Sequence, residues 1–246
     1  MKFIDYDNLH TYPLDFSNNF FVNNYVGIET MLKNKKNDFF DYAWYSAALI
    51  RANVVDDPYS VYRDCNEQYL NKKVDNLIAS YEYAFTNQLN ENNLKHCHKL
   101  ISSNLLSNIE QGNYRDTSIG IIANGKLLYS PIAPRYIVRN MRVLFEFIND
   151  KIQEPLKTKE VFYYASIIHL NFVSIHPFYD CNGRIARLLD KWFISTKLGN
   201  HFWKMPSEKY YSKHWKLYYL NINKAQRNPS KSYFFASMLQ NCLEEE

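Results

Sequence analysis

The chain has 246 residues, 46% of them hydrophobic and 22% charged, a balance that builds a sizeable core and excludes a disordered chain. The net charge of +4, with Lys and Arg spread along the chain, suits a phosphate-bearing ligand but is too weak for a nucleic-acid binder. Cysteines 65, 97, 181 and 242 lack metal or disulfide spacing, and no apolar run approaches the roughly 18 residues that span a membrane, so a soluble cytoplasmic protein with reduced thiols is expected.

No internal repeat, low-complexity block or Pro/Gly/Ser-rich linker divides the sequence. One domain over 1–246 follows, divided into an N-terminal helical extension at 1–60 and a core at 61–246. Near the start, Phe21, Tyr25, Ile28 and Leu32 recur at helical spacing, with Glu29 among them. Val74, Leu77, Tyr81 and Phe85 mark the next helix, and Leu94, Cys97, Ile101 and Leu105 another. On such a helix His96, Cys97 and His98 point about 100° apart, which makes them packing residues and not ligands of one ion.

Residues 117–129 depart from this helical pattern. Thr117 to Ile122 and Lys126 to Tyr129 flank Ala123-Asn124-Gly125, and Asn-Gly favours the tight turn of a hairpin. Such a hairpin is either a packed connector or an exposed edge that pairs with an extended partner segment.

Beyond it, Ile137, Met141, Leu144, Phe145 and Ile148 predict a helix begun after Pro134. Val161, Ala165, Ile168, Phe172 and Ile175 predict the next, halted by Pro177. Ile185, Leu188, Leu189, Trp192 and Phe193 predict a third, closed by Gly199, and a last helix lies around Trp215 to Ile222. The fold class is all-α with a short β-hairpin.

The chemistry concentrates between the helix ending at Ile175 and the one opening at Asn182. There the chain reads His176-Pro177-Phe178-Tyr179-Asp180-Cys181-Asn182-Gly183-Arg184. A helix start presents unpaired N–H groups and a positive dipole end; Asn182 as N-cap, Gly183 for close approach, and Arg184 with Arg187 complete an anion site for phosphates. The expected polar face of this helix also carries Lys191, with Asp190 beside it. Asp180 at the mouth is the single carboxylate that a phosphate-bound Mg²⁺ commonly takes. His176, with an ordinary pKa near 6.5, can accept a hydroxyl proton at neutral pH. The combination points to transfer of a phosphorus-bearing group to a hydroxyl and leaves open which phosphorus is attacked.

This run resembles the signature of the Fic family, HPFx(D/E)GN(G/K)R. The resemblance extends to Gly112-Asn113-Tyr114-Arg115, similar to the family's G-x-Y-R, and covers roughly residues 24–242. It implies a Fic fold and an Mg²⁺-dependent protein adenylyltransferase. His176 would deprotonate a Ser, Thr or Tyr hydroxyl of a target protein, or of the chain itself, for attack on the α-phosphorus of ATP. Asp180 would hold Mg²⁺. Cys181, Asn182, Gly183 and Arg184 would bind phosphate, the backbone N–H groups there stabilising charge, and Arg187 would meet the γ-phosphate. The hairpin, through Ile119, Gly120, Ile121 and Ile122, would be the flap that holds the target. His169 is read as structural.

The family usually has Gly where this chain has Cys181, and a cysteine keeps its N–H available there provided its φ is negative. Tyr25-Val26-Gly27-Ile28-Glu29-Thr30 partly matches the family's inhibitory pattern (S/T)xxxE(G/N). Glu29 is therefore either a brake that pairs with Arg187 or a solvated carboxylate. Removal of AMP, transfer of another phosphate-linked group, and a catalytically silent binding module are the competing functions. Neither nucleic acid nor membrane is an expected partner.

Overall fold

A computed structural model describes residues 67–123 and 126–244. Two helices come first, α1 (Glu67–Thr86) and α2 (Glu91–Ile101). Asn90 starts α2 as its side chain accepts the Asn93 N–H at 2.9 Å. The hairpin follows as β1 (Ile121–Ala123) and β2 (Lys126–Tyr129), and then α3 (Ile137–Gln153), which a 3₁₀ turn at Pro134–Tyr136 leads into. The centre is α4 (Thr158–Ile175) and α5 (Asn182–Leu198), and the chain closes with α6 (Ser207–Lys213), α7 (Trp215–Arg227) and α8 (Tyr233–Asn241). Among the described residues only the hairpin is extended, so the mainly helical expectation holds.

Helix α4 is the axis of the core. From Val161 to Val173 every residue is buried, the pattern of a helix wrapped on all sides. It packs most extensively on α5, with α3 and α8 on other faces. Three of its polar residues are satisfied within the helix: Ser166, Asn171 and Ser174 each donate to the carbonyl four residues back. His169 lies between the Asp190 carboxylate, 2.8 Å from Nδ1, and the Tyr218 hydroxyl, 2.9 Å from Nε2, which bears out its structural reading.

The hairpin pairs Ala123 with Lys126, a register that fits a two-residue turn, although Asn124 and Gly125 lie outside the described residues. The first strand is shorter than expected. Thr117 to Gly120 approach it without sheet pairing, so Ile119 and Gly120 belong to the lead-in and Ile121 and Ile122 to the strand. Residues 1–66, including Glu29 and the proposed extension, lie outside the described part. Among the described residues no helix is long and apolar enough to cross a membrane.

Helices α6 and α8 escaped the sequence reading, being only seven and nine residues long with little periodic pattern. Leu105 lies beyond α2, which ends at Ile101 with Ser102 as its cap.

Candidate active site

The last turn of α4 delivers His176. Its backbone N–H still donates to Phe172 at 2.9 Å, but its φ of 51° and ψ of 61° are left-handed, turning the chain sharply before Pro177. The ring is half-buried, and a hydrogen bond to the Val173 backbone carbonyl occupies one ring nitrogen. Burial lowers its pKa to about 4, the Arg115 cation adding to the effect and the Val173 bond and Asp180 charge opposing it. At neutral pH the imidazole is therefore uncharged and able to take a proton.

The loop from Pro177 to Cys181 is fastened from below. Phe178 is fully buried and stacks on His98, centroids 3.7 Å apart and planes 7° from parallel. The Asn182 amide closes the loop on itself: Oδ1 accepts the Phe178 N–H and Nδ2 donates to the Phe178 carbonyl, both at 2.9 Å. This corrects the N-cap expectation. Cys181 precedes the first helical residue, no side chain caps α5, and Asn182 spends its amide on the loop.

At the mouth, the Asp180 side chain is 65% exposed. One carboxylate oxygen accepts the Cys181 N–H at 2.5 Å and stands 4.0 Å from Arg184 Nη2. The tip of α5 thus already draws an oxyanion, as a helix N-terminus with a flanking arginine should. Arg184 and Arg187 are both nearly fully buried, one turn apart on the same helix.

Two features of α5 could not be read from its sequence. Cys181 has a φ of +63°, not a negative value, so it occupies a left-handed position that suits glycine. The polar face of α5 also reaches into the core: Asp190 and Lys191, expected beside the arginines, are completely buried, against His169 and Glu208.

The model of the Fic/DOC family matches residues 88–194, the segment that contains this loop, all of α4 and most of α5. The chain carries a Fic-family domain. Over 81 residues, 33% of the chain, it is 35% identical to the protein adenylyltransferase fic-1 of Caenorhabditis briggsae and 33% identical to that of Caenorhabditis elegans. The matched stretch makes up only 14% of each of these relatives. A Fic family protein from Desulfovibrio desulfuricans superposes with a TM-score of 0.64 at 20% identity, over 89% of this chain and 61% of that one. A Fic domain containing signaling protein from Bacteroides thetaiotaomicron gives 0.56 at 15% identity, over 89% and 93%.

Within this Fic domain, two residues that sequence reasoning left aside hold the loop. His98 accepts the Gly112 N–H at Nδ1, 2.9 Å away, and its Nε2 reaches the Asp180 carbonyl at 3.1 Å. Its neighbours do other work: His96 packs on Tyr83, and the Cys97 thiol is buried and raised to about 12. Gly112 itself needs to be glycine. Its φ is +75°, and an added Cβ would lie 2.9 Å from the Lys95 carbonyl oxygen. Arg115 is the second such residue, buried at the foot of the hairpin against the His176 carbonyl. The G-x-Y-R run was the available signal for both Gly112 and Arg115, but sequence alone did not say what they grip.

Proposed function

We propose that the chain is a protein adenylyltransferase, moving AMP from ATP to a Ser, Thr or Tyr hydroxyl of a target protein and of itself. The observation that carries this reading is the helix tip that draws the Asp180 oxyanion, within electrostatic reach of the His176 imidazole at the exit of α4. His176 removes the hydroxyl proton as the oxygen attacks the α-phosphorus, and pyrophosphate departs. The N–H groups from Cys181 to Arg184, with the Arg184 guanidinium, stabilise the negative charge that builds on the transferred phosphate. Arg187 receives the terminal phosphate. An incoming nucleotide displaces the Asp180 carboxylate from the Cys181 N–H, which frees it to face outward.

The donor set fits Mg²⁺: one exposed carboxylate beside a phosphate site is the arrangement that ion favours. Asp180 would hold it, and the ion would supply charge neutralisation on the phosphates. The hairpin offers an edge to the target, with Ile121 and Ile122 on the pairing strand and Ile119 and Gly120 leading into it. Glu29 belongs to the same proposal as a brake that pairs with Arg187 until it is displaced.

Incubation with α-labelled ATP, Mg²⁺ and candidate targets tests the reading. Label on protein from the wild type, reduced at least a hundredfold in His176→Ala while ATP binding persists, is the expected result. Equal labelling by the two proteins would refute it. Faster self-labelling by Glu29→Gly is expected of a brake, and unchanged labelling removes that part alone.

A further inference from the structure

Arg115 stands 61 residues before His176 in sequence, yet its side chain spends its donors on the backbone at both ends of the site. Nε donates to the His176 carbonyl at 2.8 Å, and Nη2 reaches the Ile175 carbonyl at 3.4 Å. Nη1 donates to Thr117 at 2.9 Å and Nη2 to Ile132 at 2.7 Å. The Arg115 backbone N–H donates to Pro177 at 2.9 Å. Thr117 precedes the hairpin and Ile132 follows it. One buried guanidinium therefore joins both legs of the hairpin to the last carbonyls of α4.

Those carbonyls are the orphan acceptors that any helix C-terminus leaves, and they carry the negative end of its dipole. A forked cation is the group suited to several of them at once. His176 needs such a partner, because its left-handed backbone is unfavourable for a residue with a Cβ and persists only where surroundings impose it. Two outer ties repeat the connection. Tyr179 donates to the Asp116 carboxylate at 2.8 Å, and Tyr129, at the end of β2, donates to the Ser174 carbonyl at 2.6 Å.

We propose that Arg115 is a positioning residue that locks His176 and the hairpin into one unit, so that docking of a target strand on the hairpin sets the distance from its hydroxyl to the imidazole. Arg115 touches neither nucleotide nor target. It acts through the His176 carbonyl on one side and through Thr117 and Ile132 on the other. The nucleotide site, built on the tip of α5, stands outside this clamp. Loss of Arg115 therefore lowers turnover and weakens target engagement while leaving ATP affinity alone. The inference rests on the proposed transfer reaction for its rate measurements.

The test compares the full chain with Arg115→Met, Arg115→Lys and Tyr129→Phe, each first shown to be folded by circular dichroism. ATP affinity, measured calorimetrically with Mg²⁺, is expected within threefold of wild type for all of them. Arg115→Met should lower kcat for label transfer about a hundredfold, the scale on which misplacement by an ångström acts. Arg115→Lys should recover no more than a tenth of wild-type turnover, since a point charge cannot hold four carbonyls. Tyr129→Phe releases one leg only and should raise KM for the target several-fold, with kcat kept within threefold.

A second readout needs no activity: the His176 ring resonances, assigned by their loss in His176→Asn. Arg115 and Asp180 are the charges acting on that ring. Arg115→Met should move its titration upward from about 4, and Arg115→Lys, which keeps a cation, should move it less. Turnover and ring titration both unchanged in a folded Arg115→Met would overturn the proposal. So would an unchanged target KM in Tyr129→Phe, which would uncouple hairpin from base. A wild type that transfers no label refutes the adenylyl reading instead, and the ring titration then decides the role of Arg115 alone.

Discussion

His98 and Asp180, 82 residues apart in sequence, meet where the His98 Nε2 lies 3.1 Å from the Asp180 backbone carbonyl. Because Nδ1 already accepts the Gly112 N–H, the proton sits on Nε2 and the ring is neutral. Its environment agrees: burial lowers its pKa to about 4. A second proton would have to displace the Gly112 bond. Between pH 6.5 and about 4 the unfolded chain binds a proton that the folded chain excludes, so stability falls as pH falls through that window. The loss on crossing it is of order 3 kcal/mol from this residue. Chemical denaturation across the window should show it, and His98→Gln, less stable at pH 7 by about 2 kcal/mol, should show a distinctly shallower dependence. Identical slopes would contradict the neutral assignment.

The same sign applies to the proposed transfer. With the pKa of His176 lowered to about 4 in the free protein, the imidazole stays unprotonated through the whole neutral range. The acid limb of kcat/KM for label transfer is expected well below 6.5, with near-constant rate from pH 8 to pH 5.5. A limb centred at 6.5 would mean that the ring is solvated, or that another group takes the proton.

Cys181 presents a simpler quantity. Its φ of +63° places a side chain where the backbone favours none. Cys181→Ala and Cys181→Gly both delete the sulfur, so their difference isolates the backbone effect. Cys181→Gly should be the more stable by about 1 kcal/mol, seen as a Tm difference of roughly 2–4 °C. Transfer activity should match wild type within a few-fold, because the Cys181 N–H already donates to an oxyanion from this left-handed backbone, a conformation that glycine also adopts. An increase of orders of magnitude in Cys181→Gly would show that the native thiol suits a different transferred group.

The helices were legible in the sequence wherever burial is one-sided, as in α3, where Ile137, Met141, Leu144 and Ile148 are all fully buried. The candidate loop stood out for another reason: its residue types and spacing match a signature that few sequences reproduce by chance. What stayed hidden is long-range. The G-x-Y-R run marks Arg115 but not its partners, and the carbonyls that it grips become visible only once α4, the hairpin and the loop converge. His98 was hidden in the same way, since the stacking partner and both hydrogen bonds come from distant segments. Helix α5 misled for the opposite reason. Its charged residues read as one polar face beside the arginines, but burial of a Lys needs a partner, and the partner of Lys191 is Glu208, in a helix too short to predict.

That pair allows the last prediction. Lys191 Nζ and Glu208 Oε2 form a buried ion pair, with side chains essentially inaccessible to water. The other carboxylate oxygen accepts the Tyr81 hydroxyl at 2.7 Å, and Ser207 Oγ lies 3.1 Å from Oε2. Two buried charges of opposite sign roughly offset their desolvation when both are present, and one left alone does not. Lys191→Met keeps most of the side-chain volume but strands the carboxylate, and should cost about 3–5 kcal/mol in urea denaturation at pH 7. Lys191→Met combined with Glu208→Gln leaves neutral donors and acceptors in the same space, and Tyr81 and Ser207 can still bond the amide. The double variant should recover more than half of the loss, a coupling of at least about 1.5 kcal/mol. Additive losses would show that the two side chains stabilise α1, α5 and α6 separately, through packing and not through their charges. ATP affinity should change little in either variant, because the pair is enclosed in the bundle and the tip of α5 at Asn182 lies more than two turns before Lys191.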